Sequence, residues 1–587
     1  MKNSFFTLIL LVAFAFAMTS CKEAKKNYTC TQVSVLRVST ADGTLWLPVQ
    51  ESMGEARIRV IAGDEYLETI HVRLAKDSID YFVPYEMSRW NKSNLAFEIR
   101  TFLPDTVRRD KMVCWDAITT GAADLYPLPD NPYRCAYHHT PLRGWMNDPN
   151  GMYYDDATGL WHLYYQHNPY AAMWANMHWG HSVSRDLIHW EHQPMALRPT
   201  VWGTIFSGSA VIDTKNTAGF GENVVVAIYT ADGESQKQAV AYSLDGGQTF
   251  THYEGNPVLC DTIADFRDPK VFWDTLTNRW VMVLACQQEM RFYASYDLRQ
   301  WNYLSRFGEG YGCHEGVWEC PDLIYLPMRN DNATQEILAE AGKWVLLCNI
   351  NPGGPLGGSA TQYFVGTWDG NTFTCDDKKS EKAKWLDYGK DHYATVTFHN
   401  APDNRVVALG WMSNWQYANQ LPTLQYRSQN TIARDLSLYQ DDLGEYRVAV
   451  CPSRENEALI GEVANQPTQM CVIDIEVPVK EKDVVITLSN DKQEKVVMTY
   501  NFSNSTFSMD RREAGDNSFS KDFPCVAGVP LFVKRDTYRL RLFIDRCSIE
   551  AFDGNGDWAM TNLVFPTEPY NHIEAKGATA VIYSVKL

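Results

Sequence analysis

From about residue 135 to 453 the chain repeats one motif: short apolar or alternating runs, cut off by Gly, Asp and Asn turns, with little helical periodicity. WHLYYQHNP (161–169), VVVAIYTADG (224–233), AVAYSLDGGQTF (239–250), RWVMVLAC (279–286), KWVLLCNI (343–350) and RVVALGWM (405–412) all read as strands. A period of two places successive side chains on opposite faces of a sheet, and closely spaced turns make neighbouring strands antiparallel. So many short strands over roughly 300 residues suit a propeller better than a two-sheet sandwich. The piece SLDGGQTF resembles an Asp-box hairpin, whose Asp-Gly turn supplies the positive φ that the turn requires. Exact repeats are absent, so the pattern alone does not give the blade count.

At 587 residues the chain is too long for one core. Residues 28–130 carry alternating runs such as SVLRVST (34–40), ARIRVIAG (56–63) and LAFEIRTFL (95–103), which predict a small N-terminal β-sandwich. No acid or His constellation marks that domain as catalytic, and a spacing or packing role ranks above glycan binding. Residues 454–466 are polar and read as a linker with a short helix. From 467 to 587, runs such as MCVIDIEVPV (470–479), YRLRLFIDRCSIEAFDG (538–554) and TAVIYSVKL (579–587) predict a C-terminal β-sandwich. The expected class is all-β, and 19 Trp, 31 Tyr and 25 Phe agree with it, since aromatics suit pleated, half-buried surfaces.

A formal net charge of −18 with no basic stripe excludes nucleic acid as a partner. Residues 1–21 have the layout of a bacterial lipoprotein signal: a Lys, an apolar run from Phe5 to about Met18, and small residues leading to Cys21. Cys21 is the expected lipidation site, and the mature protein is expected to be exported and to touch the membrane only through that anchor. The 14 Cys form no CxxC pair, so mostly buried thiols are expected. Nothing in the sequence sets an oligomeric state.

Three acids sit in constrained settings: Asp148 in WMNDPNG (145–151), Asp268 in FRDPKV (266–271) and Glu319 in WECPDL (318–323). Taken singly, an Asp-Pro step is more often a turn than a reagent. Taken together, with LYYQHNP (163–169), WGHSVSRDLIHW (179–190), FSGSAV (206–211), GGSATQYFVGTWDG (357–370) and GWMSNWQY (410–417), they resemble glycoside hydrolase family 32, the β-fructofuranosidases. The resemblance spans residues 135 to 587. It implies a five-bladed β-propeller followed by a β-sandwich, and a retaining double displacement at the anomeric C2 of a terminal β-fructofuranosyl unit.

Matched position by position, the resemblance makes Asp148 the nucleophile, Glu319 the general acid/base and Asp268 a non-covalent transition-state stabiliser. It makes Asn147, Gln166, Ser207 and Arg267 hydrogen-bonding groups for the sugar, and Trp174, Phe206 and Trp411 its apolar walls. A retaining glycosidase needs two carboxyls about 5–5.5 Å apart, one ionised and one protonated, and the resemblance gives those roles to Asp148 and Glu319. Cys320 follows Glu319, and strict alternation would turn it away from the acid as a buried apolar residue. No metal or organic cofactor is called for; His178 and His181 lack a third ligand at suitable spacing. The expected activity is exo-hydrolysis of levan or inulin, with sucrose as a further substrate. Endo-levanase action, fructosyl transfer and a non-catalytic fructan-binding lipoprotein stand as alternatives, and the linkage preference is open.

Overall fold

A computed structural model of the chain describes residues 33–103, 109–128, 130–329, 337–480 and 482–587; Cys21 and the leader lie outside them. Strands make up nearly all of the regular secondary structure of the described residues, and none of their helices is long and apolar enough to cross a membrane.

The N-terminal unit packs a four-stranded sheet (Val33–Ser39, Asn94–Arg100, Ala56–Ala62, Glu65–Val72) on a three-stranded one (Tyr81–Glu86, Thr44–Val49, Thr119–Gly121). Leu45, Ile58, Val60, Val83 and Phe97 fill the space between, as the alternation in ARIRVIAG requires. Tyr170 and Ala172 of the next domain enter the same core, and Glu51 pairs with Arg427 at 2.8 Å, so the sandwich is seated on the propeller.

The propeller has five blades. Their innermost strands are Gly144–Asp155, Thr204–Asp213, Phe266–Asp274, Val317–Arg329 and Tyr393–Thr397, and each touches the next around a closed ring. Closure leaves no exposed inner edge. One device recurs at the outer edge of every blade, where the third strand turns into the fourth. Asp186, Asp245, Asp297, Asp369 and Asp441 each accept two backbone N–H bonds, at 2.8–3.2 Å, from residues two to four places on. In SLDGGQTF, Gly246 and Gly247 have φ of 70° and 83°, the positive values expected of that hairpin.

The C-terminal sandwich joins a six-stranded sheet to a five-stranded one. Segment 454–466 opens with a short 3-10 helix, Arg454–Leu459, but continues as a strand, Ile460–Ala464, that pairs with the last strand, Thr579–Val585. Gly461 disfavours a helix, and the unpaired edge of the final strand offers this short segment a ladder instead.

Sandwich and propeller are riveted by buried charge. Arg434, 1% exposed at its side chain, lies between Asp387 (2.8 Å) and Glu550 (2.5 Å), and His138 bridges Glu550 and Asp545 at 2.8 Å each. Removing one partner of such a set strands the others without compensation. Arg434→Leu should therefore cost about 3–5 kcal/mol, seen as a lower thermal unfolding midpoint. A midpoint equal to the parent's would show that the rivet contributes nothing.

Candidate active site

The five inner strands share a second device. Each breaks register with its neighbour at the same level of the funnel: between Met146 and Pro149, Ile205 and Gly208, Arg267 and Lys270, Glu319 and Asp322, and Tyr393 and Val396. A bulge lets consecutive side chains leave the alternating pattern and re-aims them. Asp268 (φ 65°), Cys320 (φ 41°) and Ala394 (φ 52°) hold left-handed backbone there, which non-glycine residues adopt at a cost.

The bulges bring Asp148, Asp268 and Glu319 into one cavity of about 250 Å³, lined also by Asn147, Gln166, Trp174, Phe206, Ser207, Arg267, Asn351, Tyr393 and Trp415. Nine of the ten residues expected at the substrate site line it. Trp411 does not. It is 0% exposed and packs behind Trp415, ring centroids 4.8 Å apart, so the wall is Trp415, four residues further on. Trp411 lies within the regular strand Val407–Met412, whereas the chain leaves that strand before Trp415 and carries its ring to the cavity.

Asp148 is held from three sides. Ser207 Oγ donates to Oδ2 at 2.6 Å, Asn147 Nδ2 to Oδ1 at 3.0 Å, and Cys320 Sγ lies 3.3 Å from Oδ2. Trp145 Nε1 in turn donates to Asn147 Oδ1 at 2.8 Å, so the amide cannot rotate away. Glu319 is gripped by Arg267, whose Nη2 and Nε donate to Oε1 at 2.9 and 3.2 Å, and by the Tyr393 hydroxyl, which donates to Oε2. Asp268, 5% exposed, accepts from Cys320 N at 3.0 Å, and the Cys320 thiol lies 3.6 Å from it.

One sulfur thus touches two of the three carboxylates, which corrects the expectation that Cys320 faces away. Alternation fails there because residue 320 is the bulge. Burial and the nearby acids push its thiol well up, so it stays protonated and donates. Tyr393 and Asn351 were not singled out in the sequence, and only the bulged register of the fifth blade explains why Tyr393 meets Glu319. Gln166, 2% exposed, has a buried Nε2 donor without a protein partner, as a group awaiting a sugar hydroxyl would.

Burial, with the neighbouring Glu319 and Asp148, pushes the Asp268 carboxyl up to about 7, against the opposing pull of Arg267. The three acids therefore keep a proton near neutrality, and it belongs to the cluster. The donor set is acids, amides, hydroxyls and one guanidinium around a small cleft: an arrangement for acid–base and nucleophilic chemistry on a neutral polyol.

Residues 138–448 match the Glycosyl hydrolases family 32 N-terminal domain and residues 445–587 the family 32 C-terminal domain. The chain belongs to glycoside hydrolase family 32. Residues 30–130 match a domain of unknown function, DUF4980. The chain is 41% identical over 489 residues to a levanase of Bacillus subtilis, covering 79% of this chain and 70% of that one. It is 35% identical to an extracellular exo-inulinase of Aspergillus awamori, covering 76% and 91%. The solved structure of a β-fructofuranosidase from Schwanniomyces occidentalis, complexed with fructosyl-erythritol, superposes with a TM-score of 0.71 at 32% identity, covering 78% and 98%. This family 32 chain is a glycoside hydrolase.

The elevated Asp268 fixes the sign of one pH effect in the hydrolase. Its folded value of about 7 lies above the ordinary 3.8, so the group's stability contribution is complete below about pH 4 and is lost as pH rises through 7. Asp268→Asn removes that loss while keeping an acceptor for Cys320 N. The variant should be more stable than the parent at about pH 8 and equal to it near pH 4. Unfolding curves at the two pH values check this; a parallel offset at both would refute it. Its activity should fall despite the gain.

Proposed function

We propose that this enzyme removes terminal β-fructofuranosyl units from levan or inulin with retention of configuration, and that it also cleaves sucrose. The supporting observation is the convergence of Asp148, Asp268 and Glu319 on one small cavity, floored by the five inner strands. Glu319 protonates the departing glycosidic oxygen while an Asp148 oxygen attacks C2, breaking the C2–O bond and forming a fructosyl ester. Water, deprotonated by Glu319, then displaces Asp148 from C2 and restores both carboxyls. Ser207 and Asn147 hold Asp148 in line for attack, and Asp268 faces the charge that develops on the ring. The likeness to a levanase and an exo-inulinase supports fructan as the polymer. A cavity of about 250 Å³ closed at its floor suits a chain end better than a chain interior, which supports exo action. The extracellular exo-inulinase of Aspergillus awamori, together with the leader of residues 1–21, supports export, and the small residues leading to Cys21 support attachment there.

Incubation with levan, inulin and sucrose, with products separated over time, tests the reading. Free fructose is expected as the sole early product from each polymer, and NMR of the first turnovers should show the β-anomer. An early ladder of oligosaccharides would overturn exo action, and the α-anomer first would overturn retention.

A further inference from the structure

A second cavity, of about 310 Å³, lies in the seam between the N-terminal sandwich and the propeller and shares no lining residue with the active site. Arg89 and Glu86 face it from the sandwich; Arg143, His167, His192 and Arg198 face it from the other side. Two of its cations, Arg143 and Arg198, lack counter-charges among the described residues. Arg143 donates to Gln425 Oε1 at 3.1 Å and to the Tyr126 carbonyl, both neutral, and stands over the Trp46 ring. Among the described residues Arg198 reaches only the Met195 sulfur, at 3.5 Å. Among the described residues neither guanidinium has a carboxylate within ion-pair distance. Arg89 pairs with Glu68 through Nη2, yet its Nε and Nη1 are buried without any partner. Glu86, the one acid in the lining, is exposed at the rim and forms no ion pair with a described residue.

Arg143 and Arg198 are half-buried; guanidinium groups partly withdrawn from water gain when an anion meets them, and their forked donors match oxyanions better than chloride. Burial and Arg198 together lower Arg89 to about 10, the mark of cations facing one another across one space. Burial holds His167 and His192 down to about 4, so at neutral pH they offer hydrogen bonds and add no charge.

We infer that this seam is a binding site for a small multivalent oxyanion, phosphate- or carboxylate-bearing, which clamps the N-terminal domain to the propeller. Bound there, the anion neutralises Arg198 and Arg143 and lies against Arg89. The clamp is separate from the chemistry, so its loss leaves the catalytic cavity intact.

The test uses the full chain at fixed ionic strength, exchanging sodium chloride for inorganic phosphate or for malonate. The unfolding midpoint should rise saturably with one or both, by about 2 °C or more, and added protein should broaden the phosphate ³¹P resonance if phosphate is taken. Response to phosphate alone or malonate alone supports the site and names the class. Arg198→Gln should abolish the response while changing sucrose turnover by less than about twofold, and Arg198→Lys should retain part of it. Failure of both anions to shift the parent's midpoint, with no ³¹P broadening, would overturn the inference. So would a response of equal size in Arg198→Gln.

Discussion

Asp148→Ala is expected to lower turnover on levan and inulin by at least about 10⁴-fold, a loss of about 5 kcal/mol of transition-state stabilisation. The size follows from how much of the site exists to place this one carboxylate. Ser207, Asn147 and Cys320 all converge on it, and Trp145 fixes Asn147 behind it. Without the carboxylate there is no atom to form the ester, and the hydroxyl, amide and thiol left behind cannot replace it. Binding of the substrate should change far less than kcat, because Gln166, Arg267 and the aromatic walls remain. Steady-state kinetics with binding of fructose measured separately checks both parts. A variant retaining even one-tenth of parental turnover would remove Asp148 from the nucleophile's role.

Glu319→Gln should show a split that no general damage to the fold would produce. On levan and inulin the rate should drop about 10²–10⁴-fold, the usual contribution of a positioned proton donor. On β-fructosyl fluoride, whose leaving group needs no proton, ester formation should proceed near the parental rate and the intermediate should accumulate. Hydrolysis of that ester then stalls, because the same side chain must deprotonate the water. Intact-protein mass spectrometry would reveal the trapped adduct on Asp148. The amide oxygen introduced by this substitution can still accept a hydrogen bond from Arg267, which donates to Glu319 in the parent, so the grip on the side chain survives. Equal losses on polymer and fluoride would count against the assignment.

Much of this site was legible in the sequence because its constraints are local. Asp148, Asp268 and Glu319 stand in segments whose neighbours, Pro149, Pro269 and Pro321, restrict the backbone, and such restriction can be read without a partner strand. The errors came where a rule of regular strands was applied to residues that are not in regular strands. Alternation sent Cys320 away from the acids, but φ of 41° at that residue turns its thiol between two of them. Trp411, inside an unbroken strand, ended in the interior, while Trp415 beyond it reached the cavity. The blade repeat was equally hidden. SRDLIHW and SYDLRQW share S-x-D-L-x-x-W, but SLDGGQTF keeps only the Ser and Asp of it, and Asp369 and Asp441 lack even the Ser. What repeats is a pair of backbone bonds to one carboxylate, which five dissimilar sequences satisfy.

The strand bulges also divide the labour of adaptation. The attacking, proton-carrying and charge-balancing groups are carried by the ladder of the propeller itself, whereas Trp174 and Trp415 at the mouth lie on connections between strands. Insertions or deletions in those two connections would reshape the mouth without shifting the acids beneath. A lineage built on this frame can change its diet while conserving its chemistry.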